Sequence, residues 1–107
     1  MAVYDLYGIS TGTIESARQI VERLIPVKFC ESHSDYKNGK YLFYGDEDAE
    51  SFTIKSNTDP YDGEPAEPQF GDYPFLLYVD ETERSSDLQK ALLSEGESVA
   101  LLRHEIL

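Results

Sequence analysis

The sequence predicts an α+β sandwich: a mainly antiparallel sheet of about six strands, two helices on one face, and a long acidic loop. Three observations lead there. Two helical patterns each stand between strand-like segments, making two strand-helix-strand halves. A set of short alternating segments with polar turns separates those halves. One stretch, 57–73, breaks every periodicity.

Taken in order, Val3 to Ile9 mixes aromatic and aliphatic residues and ends near Gly8, Ser10 and Gly12, as a strand running into a turn does. Ile14, Ala17, Ile20, Val21, Leu24 and Ile25 then recur at helical spacing, with Glu15, Arg18, Gln19, Glu22 and Arg23 opposite. Thr11 or Thr13 is placed to cap this helix, and Pro26 stops it by removing a backbone donor. Val27 to His33 reads as a strand. Lys37-Asn38-Gly39-Lys40 supplies hairpin-turn chemistry, and Tyr41 to Tyr44 returns. After a polar turn at Asp46 to Ala49, Ser51 to Lys55 alternates as a strand with Phe52 and Ile54 on one side.

From Asn57 to Tyr73, Pro60, Gly63, Pro65, Pro68 and Gly71 deny both regular ladders, which predicts a long loop. Phe75 to Val79 is almost continuously apolar, as a central strand buried on both faces should be. A second helix is expected to begin at Ser86, where Ser86-Asp87-Leu88-Gln89 fits a capping box, with Leu88, Ala91 and Leu92 as its apolar stripe and Gly96 as its end. Val99 to Ile106 is the last strand. This order matches a ferredoxin-like sandwich with an antiparallel insert.

At 107 residues the chain is expected to be one domain, 1–107, around one core. Eight Tyr and five Phe supply burial energy against chain entropy. The start, Met1-Ala2-Val3-Tyr4-Asp5, lacks the features of a secretory signal, and no apolar run is long enough to span a membrane. Cys30 is the single cysteine, so no internal disulfide can form. A cytoplasmic location is the expectation.

The net charge of −12 is unevenly placed. Asp46 to Glu83 holds twelve acids against the single base Lys55, and the rest of the chain holds nine acids against eight bases. Concentrated like charge opposes a compact fold through self-repulsion, so it asks for a reason. It also repels nucleic acid and anionic membranes, which are therefore excluded as partners.

Reactive chemistry is hard to find in the sequence. Cys30 and His33, at i and i+3, would point to opposite faces of a strand, leaving a buried or half-buried thiol beside a surface histidine. His104 reads as a residue of the strand surface. Aligning Asp62-Gly63 with a calcium loop puts Thr58 and Pro60 at ligand positions, and Asp46, Asp48 and Glu50 lack the glycine that must follow. One Cys and two His cannot close a structural zinc site, and Gly8-Ile9-Ser10-Thr11-Gly12 is no phosphate loop. No cofactor, metal or catalytic residue is expected.

What remains is a surface. Tyr61, Phe70 and Tyr73 are interleaved with Asp59, Asp62, Glu64, Glu67 and Asp72, the pattern of rigid aromatic anchors among orienting polar groups. With the turn acids Asp46, Glu47, Asp48 and Glu50 they make up the expected partner-binding set, although Phe70 and Tyr73 could equally tuck the loop onto the core.

The start Met1-Ala2-Val3-Tyr4-Asp5-Leu6-Tyr7-Gly8, the Asn57-Thr58-Asp59-Pro60 step, Glu64-Pro65-Ala66-Glu67-Pro68 and Leu76-Leu77-Tyr78-Val79 resemble small acidic immunity proteins of bacterial polymorphic toxin and contact-dependent growth inhibition systems. The resemblance implies a non-enzymatic antitoxin, monomeric before it binds one cognate basic toxin domain. A nuclease is favoured as the toxin because its substrate makes it basic. The alternative is a small regulatory or ligand-binding ferredoxin-like domain, with a sheet face lined by Tyr4, Tyr41 or Tyr44.

Overall fold

The computed structural model describes residues 2–34, 39–46, 48–58 and 63–107. Strands β1 (Val3–Ile9), β2 (Cys30–Ser34), β3 (Gly39–Gly45), β4 (Ser51–Ser56), β5 (Phe75–Thr82) and β6 (Val99–Ile106) form one sheet in the order β2-β3-β4-β5-β1-β6. Every neighbouring pair is antiparallel. Helices α1 (Ile14–Leu24) and α2 (Ser85–Leu92) cover one face, giving the ferredoxin-like α+β sandwich.

Strand alternation decides which residues meet the helices. Tyr7, Ile9, Leu42, Phe52, Ile54, Leu77, Val79 and Val99 pack in one core with Ala17 and Val21 of α1 and Leu88 and Leu92 of α2. As expected, β5 is buried on both faces. Leu77 faces the helices while Leu76 points away, and neither is exposed to solvent.

At α1 the expected cap holds, since the Ser16 backbone N–H donates to Thr13 Oγ1 at 3.0 Å. The expected start of α2 does not. The helix begins one residue earlier, with Arg84 in the cap position and no side-chain cap. Ser85 and Gln89 instead bond each other, at 3.0 Å. Helix α2 ends at Leu92, ahead of Gly96, which lies with positive φ inside the 3-10 segment that follows. Strand β2 starts at Cys30 rather than Val27, because the Phe29 N–H donates to Glu22 Oε2 of α1, at 2.8 Å, instead of to a neighbouring strand. The Asn38-Gly39 hairpin turn falls mostly outside the described residues.

Two irregularities re-aim side chains. In β6 the register against β1 shifts between Leu101 and Arg103. An unbroken ladder would set Arg103 opposite Asp5 on the helix face; the shift sets His104 there and turns Arg103 to the open face. In β5 a second shift, beside Glu81 with φ of 53°, brings Thr82 opposite Val3 and buries it.

Candidate functional site

The described part of stretch 57–73, residues 57–58 and 63–73, is a folded strap over the open face of the sheet. Its organiser is Asn57, only 2% exposed. Asn57 Nδ2 donates to the carbonyls of Phe70 (2.9 Å) and Tyr73 (2.8 Å), and Oδ1 accepts from the Glu67 N–H (3.0 Å). Its backbone donates to the Pro74 carbonyl and accepts from the Ala66 N–H. Thr58 bridges to Pro65, and Pro68–Phe70 forms a 3-10 turn.

Two further contacts hold the strap down. The Tyr73 ring lies over Gly8, where an added Cβ would stand 2.5 Å from it, so only glycine fits beneath. Glu67 accepts from the Tyr78 hydroxyl at 2.7 Å and from Arg103 at 3.0 Å. Partial burial raises the Glu67 carboxyl pKa, but these two donors outweigh it and hold the group below the ordinary carboxylate range. The same arrangement, with burial first, pushes the Tyr78 phenol far above its usual range.

Of the strap residues expected at a partner surface, Glu64 and Asp72 are exposed, whereas Phe70 and Tyr73 are half-buried. Tyr73 thus takes the tucking role weighed in the sequence. Asp59, Tyr61 and Asp62 lie outside the described residues, as does Glu47.

The turn acids gather at the other end of β4. Gly45, with φ of +116°, closes the β3–β4 turn so tightly that a Cβ would meet the Glu50 carbonyl at 2.5 Å. Asp46 Oδ1 accepts from the Asp48 N–H at 2.9 Å, and the Asp46 N–H donates to the Glu50 carbonyl at 3.2 Å. Glu50 is engaged internally: it accepts from Arg84 through both carboxylate oxygens, at 2.8 Å at the shortest, and from the Thr82 hydroxyl at 2.7 Å. Arg84 is the main reason that its carboxyl titrates below the usual range.

Beside this turn, Ala2, Asp48, Ala49, Glu50, Glu81, Glu83 and Arg84 line a groove of about 610 Å³. A second groove, of about 630 Å³, meets it at Ala49 and Glu50 and is walled by Lys28, Cys30, Phe43, Tyr44, Gly45 and Asp46. Cys30 is exposed here, contrary to the buried or half-buried thiol expected from sequence. Among the described residues the acidic window is thus divided along β4, with Asp46, Asp48, Glu81 and Glu83 at one end and the strap acids Glu64, Glu67 and Asp72 at the other and over the open face.

One buried polar cluster escaped the sequence reading. The Asp5 side chain has no exposed surface, accepts from Ser85 Oγ at 2.5 Å, and lies 2.6 Å from His104 Nδ1. Ser, His and Asp in contact invite comparison with a hydrolase triad, where the imidazole sits between hydroxyl and carboxylate so that it can take the hydroxyl proton. Here the carboxylate sits between, so Ser85 is held by Asp5 and is not activated by His104. The cluster fastens α2 and β6 onto β1. Its signal in the sequence was Asp5 itself, a charge on the same strand face as Tyr7 and Ile9, where only a paired group is tolerated.

Among the described residues no group of three or more His, Cys, Asp or Glu is placed to hold a metal ion. No described helix is long and apolar enough to cross a membrane. In comparison with known proteins, no family model matches the chain and no curated protein matches it in sequence.

Proposed function

We propose that this protein is a non-catalytic acidic binding protein that neutralises a basic protein partner. In keeping with its resemblance to immunity proteins, that partner is a cognate toxin domain, with a nuclease as the favoured class and the cytoplasm as the place of action. The observation that carries the reading is the groove of about 610 Å³ walled by Asp48, Glu81 and Glu83, in which Arg84 is already held by Glu50. A net charge of −12 around such a preformed concavity speeds encounter with a cationic surface.

Support also comes from the bonds that join Asp46 to Asp48, Ala49 and Glu50, which are made within the chain before any partner arrives. The ligand-binding alternative has less in its favour. The niche on the open sheet face, between Thr53, Lys55, Tyr78 and Asp80, holds about 200 Å³, under the roughly 300–1,000 Å³ usual for small-molecule sites; the two larger grooves lie within that range, but the acids on the walls of the first favour a cationic partner over a neutral ligand.

The test measures association with a basic nuclease domain encoded beside this protein, at low and high salt. Asp48→Asn, Glu81→Gln and Glu83→Gln together should slow association about tenfold at low salt and much less at high salt. A second variant, Asp59→Asn, Asp62→Asn and Glu64→Gln, apportions the contribution of the strap. Wild-type rates from both variants at low salt would reject the acidic surface as the working element.

A further inference from the structure

Two register shifts choose the neighbours of Val3. Carried on unbroken from the Asp5–Val79 and Tyr7–Leu101 pairs, the ladders would set Glu81 of β5 and Glu105 of β6 opposite it. The shifts set Thr82 and Ile106 there instead. In β5 this puts Glu81 into the left-handed region, with φ of 53°, which is unfavourable for a side chain with a Cβ. Both irregularities exchange a carboxylate for an uncharged side chain on the helix face. Thr82 is fully buried, but Ile106 remains 54% exposed.

Val3, His104 and Ile106 share that face by strand alternation, and the first turn of α2 is fastened beside them because Ser85 and His104 both bond Asp5. Together they line a groove of about 370 Å³, with Glu83, Arg84 and Asp87 also on its walls. It adjoins the acidic groove of about 610 Å³ at Glu83 and Arg84. Arg84 is committed to Glu50 at 2.8 Å, which leaves the Glu83 and Asp87 carboxylates beside the apolar floor. An exposed aliphatic floor with acidic walls suits an aliphatic side chain that stands next to a lysine or arginine. A second copy of this chain is disfavoured, since each carries a net charge of −12.

We infer that the Val3–Ile106 floor is the apolar seat for the basic partner, taking one aliphatic side chain flanked by a basic residue. The inference rests on the binding function proposed above and names where that partner is held. The acidic walls then act mainly on the rate of encounter, and the seat on the lifetime of the complex.

The experiment follows the Ile106 methyl resonances of the whole chain at low salt as an Arg-Arg-Leu-Arg-Arg or an Arg-Arg-Ser-Arg-Arg peptide is added. The leucine peptide should move these resonances and bind at least about fivefold more tightly than the serine peptide, and Ile106→Ser should remove the difference. With the basic domain as ligand, Ile106→Ser should raise the dissociation rate about tenfold at a nearly unchanged association rate, and Ile106→Val should stay near wild type. Binding that persists with the Ile106 methyls unmoved and Ile106→Ser silent would overturn the apolar seat and leave the acidic binding function standing. Ile106 shifts that follow the concentration of this chain alone would put a second copy on the floor and overturn the seat as well. Absence of any binding by peptides and basic domain alike would remove both.

Discussion

Replacing Asn57 with Ala tests whether the strap is held by one side chain. The substitution strips partners from the Phe70 and Tyr73 carbonyls and from the Glu67 N–H. A fully buried group left without a partner costs about 1–3 kcal/mol. These three residues are half-buried, so water can reach part of the strap, and the lower end applies to each. The sum is a loss of about 3 kcal/mol. For a domain near this size, each kcal/mol lowers the melting temperature by roughly 4–8 °C, giving a fall of about 12–24 °C. Asn57→Asp keeps nearly the same shape and the acceptor for Glu67, but sets an anion against two carbonyl oxygens, so it should cost at least as much near neutral pH. Urea unfolding followed by circular dichroism measures both, and limited proteolysis of 57–73 reports whether the strap is released. If both variants lie within about 0.5 kcal/mol of wild type, Asn57 is not the organiser and the strap is held elsewhere.

Two further outcomes concern titration. Glu50 and Glu67 are held below their ordinary 4.5 by the bonds described above; a depressed folded-state value contributes stability present above 4.5 and lost as pH falls below it. The urea midpoint should therefore drop between about pH 5 and 3, and Glu50→Gln with Glu67→Gln should flatten that drop; an unchanged slope would refute it. Tyr7, through burial first and then the neighbouring Asp5, and Tyr78, through burial and Glu67, are raised above their ordinary 10.0. Their contribution is complete below pH 10 and lost above it, so in ultraviolet difference titration these two of the eight tyrosines should ionise only as the protein unfolds.

Much of this molecule was written locally. Strand β1, helix α1 with its Thr13 cap, and strand β6 sit where alternation, helical spacing and capping chemistry placed them, because each depends on neighbours a few residues away. The central position of β5 was also legible, since a strand covered on both faces needs no polar alternation. Even the total charge and its clustering between Asp46 and Glu83 required no coordinates.

The tertiary structure alone decided how that charge is used. Whether Glu50 and Glu67 face solvent or hold Arg84 and Arg103 depends on residues 34 and 36 positions away, and the Glu67 pair exists only because a one-residue shift in β6 turns Arg103 to the open face. Asp5 finds His104 through the same shift, 99 residues along the chain. A register slip costs little in composition or periodicity yet exchanges the two faces of a strand. The amino-acid order therefore specified that there would be an acidic surface, and only the folded sheet determined which carboxylates were left to form it.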